Sequence, residues 1–439
     1  MSEAGLAAAT AATRARAGPS PARGWRAWFV AAVALAVLPQ VPGLDSDFGR
    51  SLLSQMGIAA VFALSYNMLF GQTGLLSFGH AVYFGLGGYA AIHAMRAINH
   101  GLAVPIALCP LAGAAGGLLF GLALGALTTR RAGTIFALIS LGVGELVYAA
   151  TFMLPGVFGG EEGITASRTK APALLGLDFG SQLQVYYLIA FWALVAALAM
   201  YLFARTPAGR MCNAVRDNPE RAEFVGYDPR RVRFIAFAAA GLFAGLAGGL
   251  HAINYEIVAA DAVSAQRSGA VLLMTYMGGA GHFVGPVVGA AVLTWLQTSL
   301  SGYTSAWLLY VGVIFIIIVL YAPSGLVGLV LMHGEIAHTR GFRRVLASYA
   351  VALVPAVVMT AGAVVLIEMG YRLSTQRELG TLMKFGRVVV DAATATPWVA
   401  GALMLAGGYA ASRWTWRRVA AAWEQASDEG KAMRAGATR

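Results

Sequence analysis

Few side chains in this chain are placed to do chemistry, and most of them gather in one stretch. Asn67, Gln72, Ser77 and His80 surround the glycine-rich segment GQTGLLSFGHAVYFGLGGYAA, which runs from Gly71 to Ala91. Amides, a hydroxyl and an imidazole in that arrangement can hydrogen-bond a polar solute. Equally, they can satisfy the backbone groups that a broken helix exposes in an apolar medium. Glu145 is the acid lying deepest in an apolar run. An ionisable group so placed is a functional candidate by default, with a helix end or a bond to a neighbour's backbone as the plainer alternative. A second segment, TYMGGAGHFVGPVVGAA from Thr275 to Ala291, carries the pair Gly281–His282 where the first carries Gly79–His80. Corresponding interrupted segments in two halves of a transporter often mark its binding region. His282 therefore joins the pathway candidates, although a Gly/Ala-rich chain can produce so short a match by chance. Neither histidine has companions at metal-ligand spacing, so no metal site is expected.

Other chemistries lack their residues. The lysines are Lys170, Lys384 and Lys431, and none completes the G-x-x-x-x-G-K-[ST] loop that cradles nucleotide phosphates. Neither a G-x-S-x-G elbow nor an H-E-x-x-H helix occurs. No catalytic residue and no cofactor of its own is expected. Cys109 falls in an apolar run and Cys212 in a polar one, which reads as two inert thiols and no disulfide.

The elements that position these residues are apolar runs. The chain is 58% hydrophobic and 12% charged, against about 25% charged in soluble domains. Twelve runs read as spans or parts of spans: Ala27–Val41, Ser51–Phe70, Phe78–Met95, Leu102–Leu127, Ala132–Leu154, Leu183–Phe203, Phe234–Tyr255, Ser268–Met277, Gly285–Leu300, Ala306–Tyr321, Val345–Glu368 and Thr396–Ser412. Phe78–Met95 and Ser268–Met277 are Gly-rich or short and suit half-helices or re-entrant segments. The fold class is an all-α polytopic membrane protein, with about ten core spans and about two extra C-terminal ones. The net charge of +11 is dispersed between the apolar runs, which fits topology signals better than a nucleic-acid patch. Of 31 Lys and Arg, 22 fall on the side shared by both termini and 9 on the other, which predicts cytoplasmic termini. The long Arg-bearing leader before Ala27 lacks a clear cleavage site and reads as preceding an uncleaved first span.

Three glycine rows recur at four-residue spacing: Gly113, Gly117, Gly121 and Gly125; Gly241, Gly245 and Gly249; and Gly281, Gly285 and Gly289. That spacing puts glycines on one helix face and predicts close helix packing. The longest polar stretch, Ala204–Arg233, holds seven arginines and four acids. Asn218 as N-cap, Pro219 at the first helical position, Glu220 behind it and Gly226 just past the end predict a short helix over Pro219–Val225. Thr206–Val215 reads as another. Two short helices make a shaped knob, on which Arg210, Arg216 and Arg221 offer forked donors to a partner's carboxylates.

Five segments together resemble the inner-membrane permeases of branched-chain amino acid ABC transporters, of the LivM type. They are GQTGLLSFGHAVYFGLGGYAA at Gly71, RRAGTIFALISLGVGELVYA at Arg130, GRMCNAVRDNPERAEFVGYDPRRVRFIAFAAAGLFAGLAGGL at Gly209, LLMTYMGGAGHFVGPVVGAAVL at Leu272 and VLYAPSGLVGL at Val319. The resemblance spans Ser51 to Leu329. It implies that residues 204–233 form the loop that docks on a cytoplasmic ATPase, with Gly209, Arg210, Arg216, Asp217, Asn218, Pro219, Glu220, Arg221 and Gly226 carrying that role. It also implies a second permease subunit of the same family, ATPase subunits that hold ATP and Mg, a periplasmic solute-binding protein and a bacterial inner membrane. The family core ends near Pro323–Leu329, so the 110 residues that follow are a departure. The expected domains are a cytoplasmic segment at 1–26, a permease domain at 27–329 and an extension at 330–439 with two spans and a basic tail.

The reading is a permease subunit of an importer for branched-chain or other apolar amino acids. The same importer class acting on urea, short amides or other small polar solutes is the alternative. A secondary transporter or channel working without an ATPase, and a membrane scaffold, are rivals of other classes.

Overall fold

The computed structural model describes residues 21–170, 178–322, 324–337, 341–375, 380–385 and 388–437. Arg14, Arg16, Arg340, Arg377, Arg387 and Arg439, counted above for topology, lie outside these residues, as does Pro323. Sixteen helices are described: α1 (Pro21–Val37), α2 (Asp47–Thr73), α3 (Ala81–Asn99), α4 (Cys109–Thr128), α5 (Gly133–Met153), α6 (Pro155–Phe158), α7 (Gln182–Arg205), α8 (Pro207–Asp217), α9 (Pro219–Phe224), α10 (Pro229–Tyr255), α11 (Ala265–Gly278), α12 (Gly285–Tyr303), α13 (Trp307–Tyr321), α14 (Gly325–Ile336), α15 (Gly341–Thr375) and α16 (Ala395–Ala437). Two small antiparallel ribbons accompany them, β1 (Ile164–Thr165) with β2 (Ile257–Val258) and β3 (Leu382–Phe385) with β4 (Val388–Asp391). The fold is all-α and polytopic.

Every predicted run contains a helix, but the helices are unequal. Among the described residues six are long and apolar enough to cross a membrane, or seven if the bent pair α13–α14 counts as one span. That is fewer than the twelve candidate runs, and the physical reason is length and polarity. At 1.5 Å per residue α11 reaches about 21 Å, short of a hydrocarbon core of about 30 Å. In the extension α15 qualifies and α16 does not.

The chain divides into two compact units, Met1–Thr298 and Ser299–Arg439. In the first, α4 and α10 pack along the first two glycine rows. A side-chain carbon at Gly117 would strike the Gly241 carbonyl, and one at Gly113 would lie 2.6 Å from the Gly245 carbonyl. The rows thus face one another and let the two backbones touch, as small residues do at membrane helix crossings. The third row departs from its prediction. Gly285 and Gly289 lie against α11, but Gly281 precedes the first turn of α12 and has open space around it. In the second unit α15 packs on α16 at Gly362 and Gly408, and Ile336, Val345 and Ala426 form a small core. Glu368 there accepts hydrogen bonds from Thr304 at 2.7 Å and Tyr310 at 2.8 Å, so its carboxylate is satisfied locally.

Candidate functional site

Helix α2 is the axis of the site. Ser46 caps its start by accepting from the Gly49 amide at 3.1 Å. Its end is set by Gly74, left-handed at φ +71°, whose amide donates to the Phe70 carbonyl at 3.1 Å. The chain then runs without regular structure to a turn at 78–80 before α3 begins. His80, at the N-cap of α3, supplies no side-chain cap. Distant serines take over: Ser140 on α5 accepts from the Phe78 amide, and Ser268 on α11 accepts from the Ala81 amide, each at 3.0 Å. The break is therefore held by helices far away in sequence.

His80 is fully buried. Its ring stacks on Phe62 with centroids 5.5 Å apart and meets the edge of Tyr66 at 5.3 Å. Ser65 Oγ donates to the Phe62 carbonyl at 2.7 Å, which commits its single proton. The 3.0 Å contact between Ser65 Oγ and His80 Nε2 then has the imidazole as donor and leaves Nδ1 as an acceptor. Nδ1 has no protein partner, and neither do Tyr66 Oη, Asn67 Oδ1, Gln72 Oε1 and Ser77 Oγ, all of them buried atoms. A short stretch of chain thus concentrates buried polar atoms with unused hydrogen-bonding capacity, although Tyr66 also lies within reach of the Ser77 backbone.

Asn67, Gln72, Ser77 and His80 all flank or form this break. Glu145 and His282 do not join them. Glu145 lies exposed on α5, and His282 is exposed in the turn between α11 and α12. The two interrupted segments do meet elsewhere: a side-chain carbon at Gly71 would lie 2.7 Å from the Ala280 carbonyl, and Thr275 Oγ1 lies 3.3 Å from the Ala63 carbonyl.

At the island end, the predicted short helices are present as α8 and α9. Thr206 caps α8 through the Gly209 amide at 3.2 Å, and Asn218 caps α9 through the Arg221 amide at 2.8 Å. Gly226, at φ +91°, closes α9, with its amide on the Glu223 carbonyl and the Tyr227 amide on the Ala222 carbonyl. Cys212, Val215, Ala222, Val232 and Ala236 give the island a small core. Gly209 is buried, where a side-chain carbon would strike the Phe203 carbonyl. Arg210, Asp217, Asn218, Pro219, Glu220, Arg221 and Gly226 are exposed.

Arg216 differs from Arg210 and Arg221, the other two arginines read as donors to a partner, in reaching a carbonyl outside the island. Its Nη1 donates to the Gly71 carbonyl, and its Nε donates to Asp217 Oδ1 at 3.0 Å. Its stem lies against Gly74. This side chain, read from the sequence as a donor to a partner, ties the island to the end of α2 where the break begins. Sequence reasoning also missed Phe224, which is 91% exposed beside exposed Val225 and Tyr227. An apolar surplus in so polar a stretch was the available signal.

At the far end of α10 from the island is a cavity of about 560 Å³. Phe62 and Phe84, with centroids 4.6 Å apart, line it, and Phe62 turns its ring to His80. Cavity, aromatic pair, polar break and island thus lie in sequence along α2.

The known proteins this chain is similar to are membrane permeases. A family described as "Branched-chain amino acid transport system / permease component" matches residues 50–322. The chain is 26% identical to the high-affinity branched-chain amino acid transport system permease protein LivM of Escherichia coli (strain K12), over 61% of this chain and 67% of the relative. It is 27% identical to a probable branched-chain amino acid transport permease protein LivM of Methanocaldococcus jannaschii, over 65% and 94%. It is 28% identical to the autoinducer 2 import system permease protein LsrC of an Enterobacter species, over 48% and 61%. No solved structure matches. With the family match covering more than half of its length, the chain belongs to the permease components of branched-chain amino acid transport systems and is a multi-pass membrane permease subunit.

Proposed function

We propose that this permease subunit of an ABC importer moves branched-chain or other apolar amino acids across a bacterial inner membrane, with both termini in the cytoplasm. It pairs with a second permease of the same family and receives its solute from a periplasmic binding protein. ATP and Mg are held by cytoplasmic ATPase subunits, so hydrolysis occurs outside this chain. The island docks on those subunits through α9 and its exposed neighbours Phe224, Val225 and Tyr227, since large exposed apolar groups at a polar rim mark binding surfaces.

The observation that carries this reading is the bond from Arg216 to the Gly71 carbonyl. It joins a surface suited to docking to the break whose buried polar atoms suit a solute path. A shift of the island has a direct mechanical route to that break. The names of the similar permeases support the solute class. Urea, short amides or other small polar solutes are the second reading, favoured by the neutral amides and hydroxyl of Asn67, Gln72 and Ser77.

Reconstitution in proteoliposomes with and without the ATPase subunits tests this. Amino acid uptake is expected only with the ATPase and ATP present. Undiminished uptake without ATP would sink the importer reading in favour of a secondary transporter. No flux of any solute would point to a scaffold.

A further inference from the structure

The cavity at the far end of α10 combines apolar and charged lining. Ile58, Phe62, Val271 and Met274 supply apolar surface, and Gln55, Thr294 and Gln297 add polar groups. Asp261 and Arg267 also line it, paired at 2.7 Å between Asp261 Oδ2 and Arg267 Nη2. Arg267 is anchored there, with its guanidinium carbon 5.2 Å from the Phe84 ring centroid. Its position is costly for the helix it belongs to. It stands in the first turn of α11, whose start is capped by Ser264 accepting from the Arg267 amide at 3.2 Å. The positive end of a helix dipole disfavours a cation and favours an anion. Guanidinium and helix end therefore both call for a carboxylate, and Asp261 meets that need through one oxygen. A guanidinium has five N–H donors, and a carboxylate has two oxygens, so each partner keeps capacity for a further group.

From this arrangement we infer that the cavity is a site for a zwitterionic α-amino acid with an aliphatic side chain. The solute carboxylate binds Arg267, its ammonium binds Asp261, and its side chain lies on Ile58, Phe62, Val271 and Met274. A volume of about 560 Å³ is that of an ordinary small-molecule site. Uncharged urea or an amide would bring no charge to the capacity that the Asp261–Arg267 pair leaves open. The inference rests on the amino acid importer reading and narrows its solute class. It places the first stop of the solute above the Phe62–Phe84 pair rather than at His80.

Two measurements test it. In the reconstituted importer supplied with saturating leucine-loaded binding protein, Arg267→Gln should lower the L-leucine uptake rate at least about tenfold, because a charged partner for the carboxylate is lost. Asp261→Asn should act in the same direction, and Arg267→Lys should restore only part of the loss. The second measurement uses the full wild-type chain in lipid nanodiscs and needs neither ATP nor a variant that folds. Phenylglyoxal modification of Arg267 is followed by peptide mass, and L-leucine should slow it. L-leucinol, which lacks the carboxylate, and urea should not. Equal protection by urea, or none by leucine together with unchanged uptake by Arg267→Gln, overturns the site. Uptake that ignores ATP would overturn the importer reading alone, because protection of Arg267 is scored without transport.

Discussion

Gly79–His80 and Gly281–His282 stand at matching points of two helix–break–helix units, yet His80 is fully buried and His282 is exposed. The first break is walled by α2, α5 and α11 and capped by Ser140 and Ser268. The second leaves Gly281 in open space, and its Phe283 packs instead on Trp28 and Tyr201. Arg216 ties the first to the island through the Gly71 carbonyl. The same pair of letters therefore gives a buried polar break in one place and a surface turn in the other. What separates them is the helices that close around each break.

The widest gap between the two is expected in their histidines. His80→Ala removes a ring packed against Phe62 and Tyr66 and should cost about 3 kcal/mol, the low end for deleting a buried ring. His282→Ala should stay within about 0.5 kcal/mol, as exposed substitutions do. Thermal unfolding of the two variants in detergent checks this, and similar losses would erase the distinction. The glycines give a somewhat smaller contrast. A side-chain carbon at Gly71 meets Asn67 Oδ1 and the Ala280 carbonyl, so Gly71→Ala should cost about 2 kcal/mol. Gly281→Ala meets nothing within 4 Å and should be near neutral in the same assay.

The smallest expected effect concerns the island to which Arg216 ties the first break. Burial pushes the Cys212 thiol up to about 11. The folded island keeps that proton at pH values where an exposed thiol, ionising near 9.0, has lost it. Its stability is therefore unaffected below that value and falls as pH rises from there towards about 11. Iodoacetamide labelling of Cys212 should be slow at about pH 8 and climb steeply above it, because the thiolate is the nucleophile. Fast labelling at about pH 8 would mean that the island opens readily and makes a poor lever.

Much of this was legible in the chain. Apolar runs located the long helices but not the short α6 or α14, which lie beyond the ends of the predicted runs, and Thr206, Asn218 and Gly226 announced the island's caps because capping is local chemistry. The glycine rows foretold close packing but not that α4 and α10 would share it, since a row names a face and not its partner. The environments of His80 and His282 were illegible for the same reason. The serines that hold the first break, Ser140 and Ser268, lie 62 and 187 residues from the amides they cap. Arg216 looked like its exposed neighbours, because the carbonyl it reaches is 145 residues away.

The central claim is that Arg216 carries movement of the docked island to the first break. The direct test is solute-stimulated ATP hydrolysis and uptake by the reconstituted importer carrying Arg216→Ala, with Arg131→Ala, an exposed arginine outside the island, as the control. The account predicts that Arg216→Ala retains the ATPase on purification but loses most solute-stimulated hydrolysis and uptake, while Arg131→Ala stays near the unmodified protein. Wild-type coupling in Arg216→Ala would contradict it.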